Sequence, residues 1–150
     1  MDELIEDVVE EIVDEIGLHM DNFYYHGASN VRNFQAEYDR SSKTFDIYYS
    51  YTFLKNLYNR LGDEEEFSYA VGIILLHEFG HHLNGHVHRG DGNPQLELQA
   101  DFFAGKWAAK GELDFSSAVR VYKLCTSVGA TNTHPGRDER IEAFTEGYEY

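Results

Sequence analysis

Apolar residues recur at helical spacing from the start of the chain. Leu4, Ile5, Val8, Val9, Ile12, Val13 and Ile16 fall on one face of a helix over residues 1–16, acids fill the other face, and Gly17 is a plausible stop. Such a stripe either packs on its own domain or docks a partner. From Phe23 to Tyr51 the pattern becomes aromatic and strand-like. Ala28 to Tyr38 is one candidate strand, Asp39 to Lys43 holds turn formers, and Phe45 to Tyr51 is a second strand, so residues 28–51 predict a hairpin. In the second strand Phe45, Ile47, Tyr49 and Tyr51 point one way, and Asp46, Tyr48 and Ser50 the other. The helical period then returns over residues 51–61, closed by Gly62, and again over 65–84, where acids at Asp63 to Glu66 suit a helix start. After a loop at 85–94, helices are predicted at 95–110, 114–128 and 136–147. No repeat or linker divides the chain, so the expectation is one domain over 1–150, α+β and mostly helical, with a short antiparallel sheet.

Composition narrows the function classes. With 42% hydrophobic and 15% aromatic residues in 150, the chain can fill a core and is not compositionally disordered. A net charge of −15 argues against binding nucleic acid or an anionic membrane. The longest apolar stretch, Ala70 to Leu76, contains Gly72 and is far too short to span a membrane. The N-terminus has no basic segment followed by an apolar one, so no signal peptide is expected, and the location expected is cytoplasmic. A single cysteine, Cys125, excludes an internal disulfide and a thiolate zinc cluster; its stripe with Phe115, Ala118 and Tyr122 predicts a buried thiol. Residues 1–16 hold eight of the 27 acids and no base, so half the excess charge belongs to one helix.

Eight histidines are many for this length, and their placement carries the chemistry. His77-Glu78-Phe79-Gly80-His81 has the form HExxH inside the apolar helix. A chain of this composition offers roughly 0.04 such matches by chance. The i, i+4 spacing sets both imidazoles on one face a turn apart, able to chelate one Zn²⁺. Glu78, beside the first ligand, can reach a metal-bound water without ligating; zinc lowers the pKa of that water to roughly 7 and the carboxylate can act as general base. The bland alternative is a helix that carries two histidines and an acid for packing or solvation.

A third ligand is needed. The pattern HExxHxxGxxH fails, because Gly85 and His88 each fall one residue late, about 100° of helical rotation, and both methionines lie upstream. Glu97 in Glu97-Leu98-Gln99-Ala100-Asp101 is the better candidate. Two antiparallel helices could offer Glu97 to a metal held by His77 and His81, while Asp101, one turn on, accepts the free ring N–H of a ligand histidine. Leu96, Ala100, Phe103 and Trp107 would then pack into the core.

HEFGHH followed by ELQADFFAGKWA resembles the gluzincin metallopeptidases, and most of all the neutral zinc metallopeptidase family, whose motifs run HExGHH and ELQAD-x-x-AG-x-W. The likeness covers roughly residues 35–148 and includes Thr133-His134-Pro135 with Arg140 and Phe144. A His-Pro with Arg six residues on also occurs in the gluzincins that include the prenyl-protein (CAAX) and membrane heat-shock proteases. The resemblance implies a zincin-like domain with the sheet beside the zinc helix. It also implies zinc ligands His77, His81 and Glu97, catalytic base Glu78, and His134 with Arg140 to stabilise the oxyanion. Gly129-Ala130-Thr131 stands where that family has Gly-Asp-Asp, Thr-His-Pro stands for Thr-His-Gly, and the relatives' membrane anchor is missing.

The expected reaction is therefore hydrolysis of a peptide bond in a peptide or protein substrate, with one Zn²⁺ as cofactor; the oligomeric state is open. Phe45 to Tyr51 could be an edge strand that binds extended peptide. His134 has a competing reading as a fourth ligand, which would close the site and make the zinc structural. His82, His86 and His88 read as surface or supporting residues rather than ligands. A further alternative is a regulatory zinc protease that cleaves a single repressor-like partner, since E-x-x-A-[ND]-x-F-A overlaps Glu97 to Ala104.

Overall fold

The computed structural model describes residues 2–85, 93–126, 129–130 and 134–150. Its elements are α1 (Asp2–Glu15), β1 (Phe23–Ala28), β2 (Phe34–Asp39), β3 (Thr44–Ser50), α2 (Tyr51–Leu61), α3 (Glu64–Leu83), α4 (Pro94–Lys110), α5 (Phe115–Cys125) and α6 (Arg137–Glu149). The architecture is α+β and mostly helical, as the periodicity predicts. Two compact units divide the chain, Met1–Gly72 and Ile73–Tyr150.

In the first unit, α1 buries Ile5, Val8, Val9, Ile12 and Val13, while its described acids, Glu3, Glu6, Asp7, Glu10, Glu11, Asp14 and Glu15, are exposed. The stripe therefore packs internally rather than waiting for a partner. Ile12 lies against Gly72, and the Tyr51 hydroxyl donates to Glu6. The predicted hairpin is present, since β2 and β3 pair antiparallel from Asp39↔Thr44 to Phe34↔Tyr49. Its turn is held by Asp39, which accepts from the backbone N–H and hydroxyl of Ser41.

Four details of the sheet differ from the sequence reading. The segment from 28 to 38 is not one strand: residues 29–33, with the turn formers Ser29, Asn30 and Asn33, separate β1 from β2. The sheet is mixed rather than antiparallel, because β1 pairs parallel to β3, with Phe23↔Phe45 through Ala28↔Ser50. With the order β1-β3-β2, β3 is the central strand. Its backbone groups serve two neighbours, so the edge-strand role suggested for Phe45 to Tyr51 falls away. β3 also stops one residue early, as the Ser50 side chain caps α2 by accepting from the Phe53 N–H.

Helix α3 starts where the acids predict, with Asp63 accepting from the Glu66 N–H. From Ala70 to Gly80 every residue but Ile74 is buried, which fits a helix apolar on all sides.

In the second unit, α4 and α6 cross through a pair of glycines. A Cβ added to Gly105 would lie 2.0 Å from the Phe144 carbonyl oxygen, and one added to Gly147 would lie 1.9 Å from that of Phe102. This crossing corrects the predicted core face of α4. Leu96 and Ala100 are buried, but the stripe continues through Asp101, Ala104, Gly105 and Ala108, leaving Trp107 38% exposed and Phe103 half-buried. Periodicity picks out large apolar residues, whereas close helix contact selects small ones. Cys125 is half-buried rather than buried, while Ala118, Val121 and Tyr122 form the inner face of α5. Residues 86–92, with His86 and His88, and also residues 127–128 and 131–133, lie outside the described residues.

Candidate active site

The last turns of α3 carry His77, Glu78 and His81. The two imidazoles stand perpendicular with centroids 4.7 Å apart, and their Nε2 atoms are 3.1 Å from each other. Gly80, in the same turn, brings α4 close: a Cβ there would sit 3.1 Å from the Ala100 Cα. Small residues inside HEFGH and ELQAD thus form the contact that puts the two motifs face to face. Asn93 caps α4 by accepting from the Gln95 N–H and Pro94 occupies the first turn, which starts the helix just before Glu97.

Glu97 completes a three-residue group. Its Oε2 lies 3.2 Å from His77 Nε2 and its Oε1 lies 3.3 Å from His81 Nε2. Among the described residues, His77, His81 and Glu97 are the group whose ligand atoms all fall within 4.8 Å of one another, an arrangement that could hold a metal ion. The separations have the right scale: bonds of about 2.0–2.1 Å in a tetrahedron give edges of about 3.3 Å.

Behind this group Asp101 is wholly buried, with Oδ1 2.8 Å from His77 Nδ1. An ionised carboxylate only accepts, so Nδ1 carries the hydrogen and Nε2 faces Glu97 and His81. Arg140, from α6, grips Asp101 as a fork, Nε donating to Oδ2 at 2.8 Å and Nη2 to Oδ1 at 2.9 Å. The same Nη2 is 3.6 Å from Glu97 Oε2. Tyr122, from α5, donates to Asp101 Oδ1 at 2.9 Å. The spacing of the motifs gave no sign of Tyr122; its place on an apolar stripe suggested only packing.

These proximities set the charge states. Burial disfavours an imidazolium at His77, but the Asp101 charge and hydrogen bond, aided by Glu97, outweigh it and raise the pKa from 6.5 to about 10. Burial opposes ionisation of Glu97 too, yet hydrogen bonds from His77 and His81 hold it well below the usual carboxylate range. Asp101 is lowered against its burial by His77 and Arg140. Glu78 goes the other way: burial raises its pKa, only partly offset by the two histidines.

A pH dependence follows for the metal-free protein. A histidine raised from 6.5 to about 10 on folding contributes its full stabilisation below pH 6.5 and loses it as the pH climbs towards 10. The thermal midpoint of the metal-free chain, followed by circular dichroism, is expected to fall over that interval through this group. One equivalent of zinc should suppress the fall, because a ligating imidazole is neutral at its metal-binding nitrogen. A flat metal-free profile would show that His77 carries no extra proton.

The other predicted residues divide. Glu78 is buried beside His77, and Arg140 is turned onto Asp101. His134 is exposed and supplies no atom to the three-residue group. His82 is buried on α3, not at the surface.

The paired helices thus bring together two histidines and a glutamate that could hold a metal ion, with a second glutamate, Glu78, buried alongside. The chain belongs to the peptidase U49 family, whose profile matches residues 62–150, more than half the chain and every residue of the centre. It is therefore a peptidase, a hydrolase with protein as its substrate. No curated protein and no solved structure matches the chain. No helix among the described residues is long and apolar enough to cross a membrane.

Proposed function

We propose that this peptidase is a zinc-dependent endopeptidase of the gluzincin type, with His77, His81 and Glu97 holding one Zn²⁺ and Glu78 as general base. The observation that carries the reading is the cluster of ligand atoms: the two Nε2 atoms are 3.1 Å apart, and the two oxygens of Glu97 lie 3.2 Å from that of His77 (Oε2) and 3.3 Å from that of His81 (Oε1), spacings on the scale of the edges of a tetrahedral zinc site. Its chemistry fits as well, since two histidines and a carboxylate are a known catalytic set that leaves one position open.

Held by His77, His81 and Glu97, the ion would supply Lewis acidity for activating water and a peptide carbonyl near neutral pH. Glu78 takes the proton of the attacking water and delivers it to the departing amine; its raised pKa, caused by burial, suits a group that must both accept and release a proton. Asp101 holds the Nδ1–H of His77 and so keeps Nε2 aimed at Glu97 and His81. Arg140 neutralises the buried Asp101 and stands 3.6 Å from Glu97. It is better placed than the exposed His134 to steady an oxyanion. The competing reading, a structural zinc closed by His134, is weakened because His134 brings no ligand atom to the group.

The test measures metal content and casein or peptide hydrolysis together. One zinc per chain is expected in freshly purified protein, with activity lost on chelation and restored by added zinc. Full activity in protein stripped of metal would overturn the proposal.

A further inference from the structure

We propose that Tyr122 is a positioning residue for the metal centre: its hydroxyl fixes the carboxylate of Asp101, and through it the imidazole of His77. The inference rests on the zinc-peptidase reading above and extends it to a residue on a helix that neither metal motif includes.

Asp101 accepts from four donor atoms. Oδ1 receives His77 Nδ1 at 2.8 Å, the Tyr122 hydroxyl at 2.9 Å and Arg140 Nη2 at 2.9 Å, and Oδ2 receives Arg140 Nε at 2.8 Å. Three of these four donors converge on Oδ1, the oxygen that holds His77, and one reaches Oδ2. Because Asp101 has no exposed surface, water cannot replace a donor that is lost. The three supporting residues come from three different helices: α3 gives His77, α5 gives Tyr122 and α6 gives Arg140. Arg140 holds both oxygens in the plane of its fork, and Tyr122 adds a contact from outside α4 and α6, so the carboxylate is fixed in rotation as well as in place.

Tyr122 is suited to this work. Burial and the neighbouring Asp101 raise its pKa well above the ordinary phenol value, so it is a donor across the working pH range. Its ring packs on Phe144, with centroids 5.2 Å apart, and lies 5.7 Å from the Arg140 guanidinium carbon, which positions the hydroxyl independently of the metal. A tyrosine that served packing alone would not need its oxygen on the carboxylate that holds the Nδ1 of His77.

The test compares wild type with Tyr122→Phe and Tyr122→Met, two variants that lack the hydroxyl but differ in shape, and with Val121→Ala as a packing control on the same helix. Val121 is buried but belongs to no part of the centre. Cobalt affinity, the visible absorption of the cobalt-loaded protein, kcat and KM are measured for each. Loss of the hydroxyl is expected to weaken cobalt binding by about tenfold, to shift the cobalt absorption bands, and to lower kcat with KM unchanged. Val121→Ala should lower the thermal midpoint and leave the cobalt affinity and spectrum as in wild type. If whichever Tyr122 variant folds binds cobalt within twofold of wild type with an unchanged spectrum, the assignment is overturned. It is overturned equally if Val121→Ala shifts the spectrum to the same extent, since packing would then explain the effect. Wild type that binds no metal is a different failure: it removes the zinc-peptidase reading itself, and Tyr122 with it.

Discussion

Replacing Glu78 with glutamine should abolish turnover while leaving metal binding intact. Glutamine keeps the shape of the side chain but cannot take a proton from water, so the expected loss in kcat is about 10²–10⁴-fold, the usual contribution of a positioned general base. His77, His81 and Glu97 are untouched, so metal content and cobalt spectrum should match wild type. Stability should move the opposite way to activity. The carboxyl of Glu78 is buried and its pKa is raised, so the ionised form costs stability above that pKa, and a neutral amide removes the cost. A higher thermal midpoint of the metal-free protein at neutral pH is therefore expected beside the lost rate of the metal-loaded one. Glu78→Ala should lose the same rate without the gain, because it leaves a cavity. Hydrolysis at the wild-type rate in either variant would rule out Glu78 as the base.

The second large effect is structural. Gly147→Ala puts a Cβ 1.9 Å from the Phe102 carbonyl oxygen, and Gly105→Ala puts one 2.0 Å from that of Phe144. Both obstacles are backbone atoms of a packed helix, which cannot swing aside as a side chain would. Overpacking ordinarily costs about 1–3 kcal/mol, and here the upper end or beyond is expected. At about 2–4 °C per kcal/mol for a chain of this size, the midpoint should fall by about 6 °C or more. The same substitutions should weaken metal binding, because α4 carries Asp101 and α6 carries Arg140, and parting the helices lengthens the fork between them. Denaturation curves and zinc titration of each variant test both statements; an unshifted midpoint would mean that the crossing is wider than described. The two single effects should not add, since either alanine alone already separates the helices.

How legible this centre is in the sequence depends on the range of the signal. His77, His81, Glu97 and Asp101 are readable because each pair is i, i+4 on a helix, and helical geometry is local. The acids that start α3 are local too. Tyr122 is not readable, since it reaches Asp101 from 21 residues away, and nothing about its neighbours distinguishes a donor from a core ring. Arg140 is visible only through resemblance, which assigns it to an oxyanion; the structure turns it onto Asp101 at a sequence separation of 39. The face of α4 is misjudged at Trp107 because hydrophobicity ranks large residues first, while the crossing with α6 is built from Ala104, Gly105 and Ala108. In the sheet, alternation correctly assigns the faces of β3, but it does not reveal which strands are neighbours. The central place of β3 follows from the parallel pairing with β1, a contact between residues 22 apart.

His77, His81, Glu97, Asp101, Tyr122 and Arg140 all belong to the unit Ile73–Tyr150, and they come from four separate helices. An ion held there favours only the assembled form of those helices, so its binding free energy is added to the free energy of opening them. If that ion is the zinc proposed above, the rigidity of the helical unit would become a function of free zinc concentration. On the proposed zinc-peptidase reading, the chain in scarce metal would lose its chemistry and loosen the same helices in one step, coupling its own turnover to the metal supply.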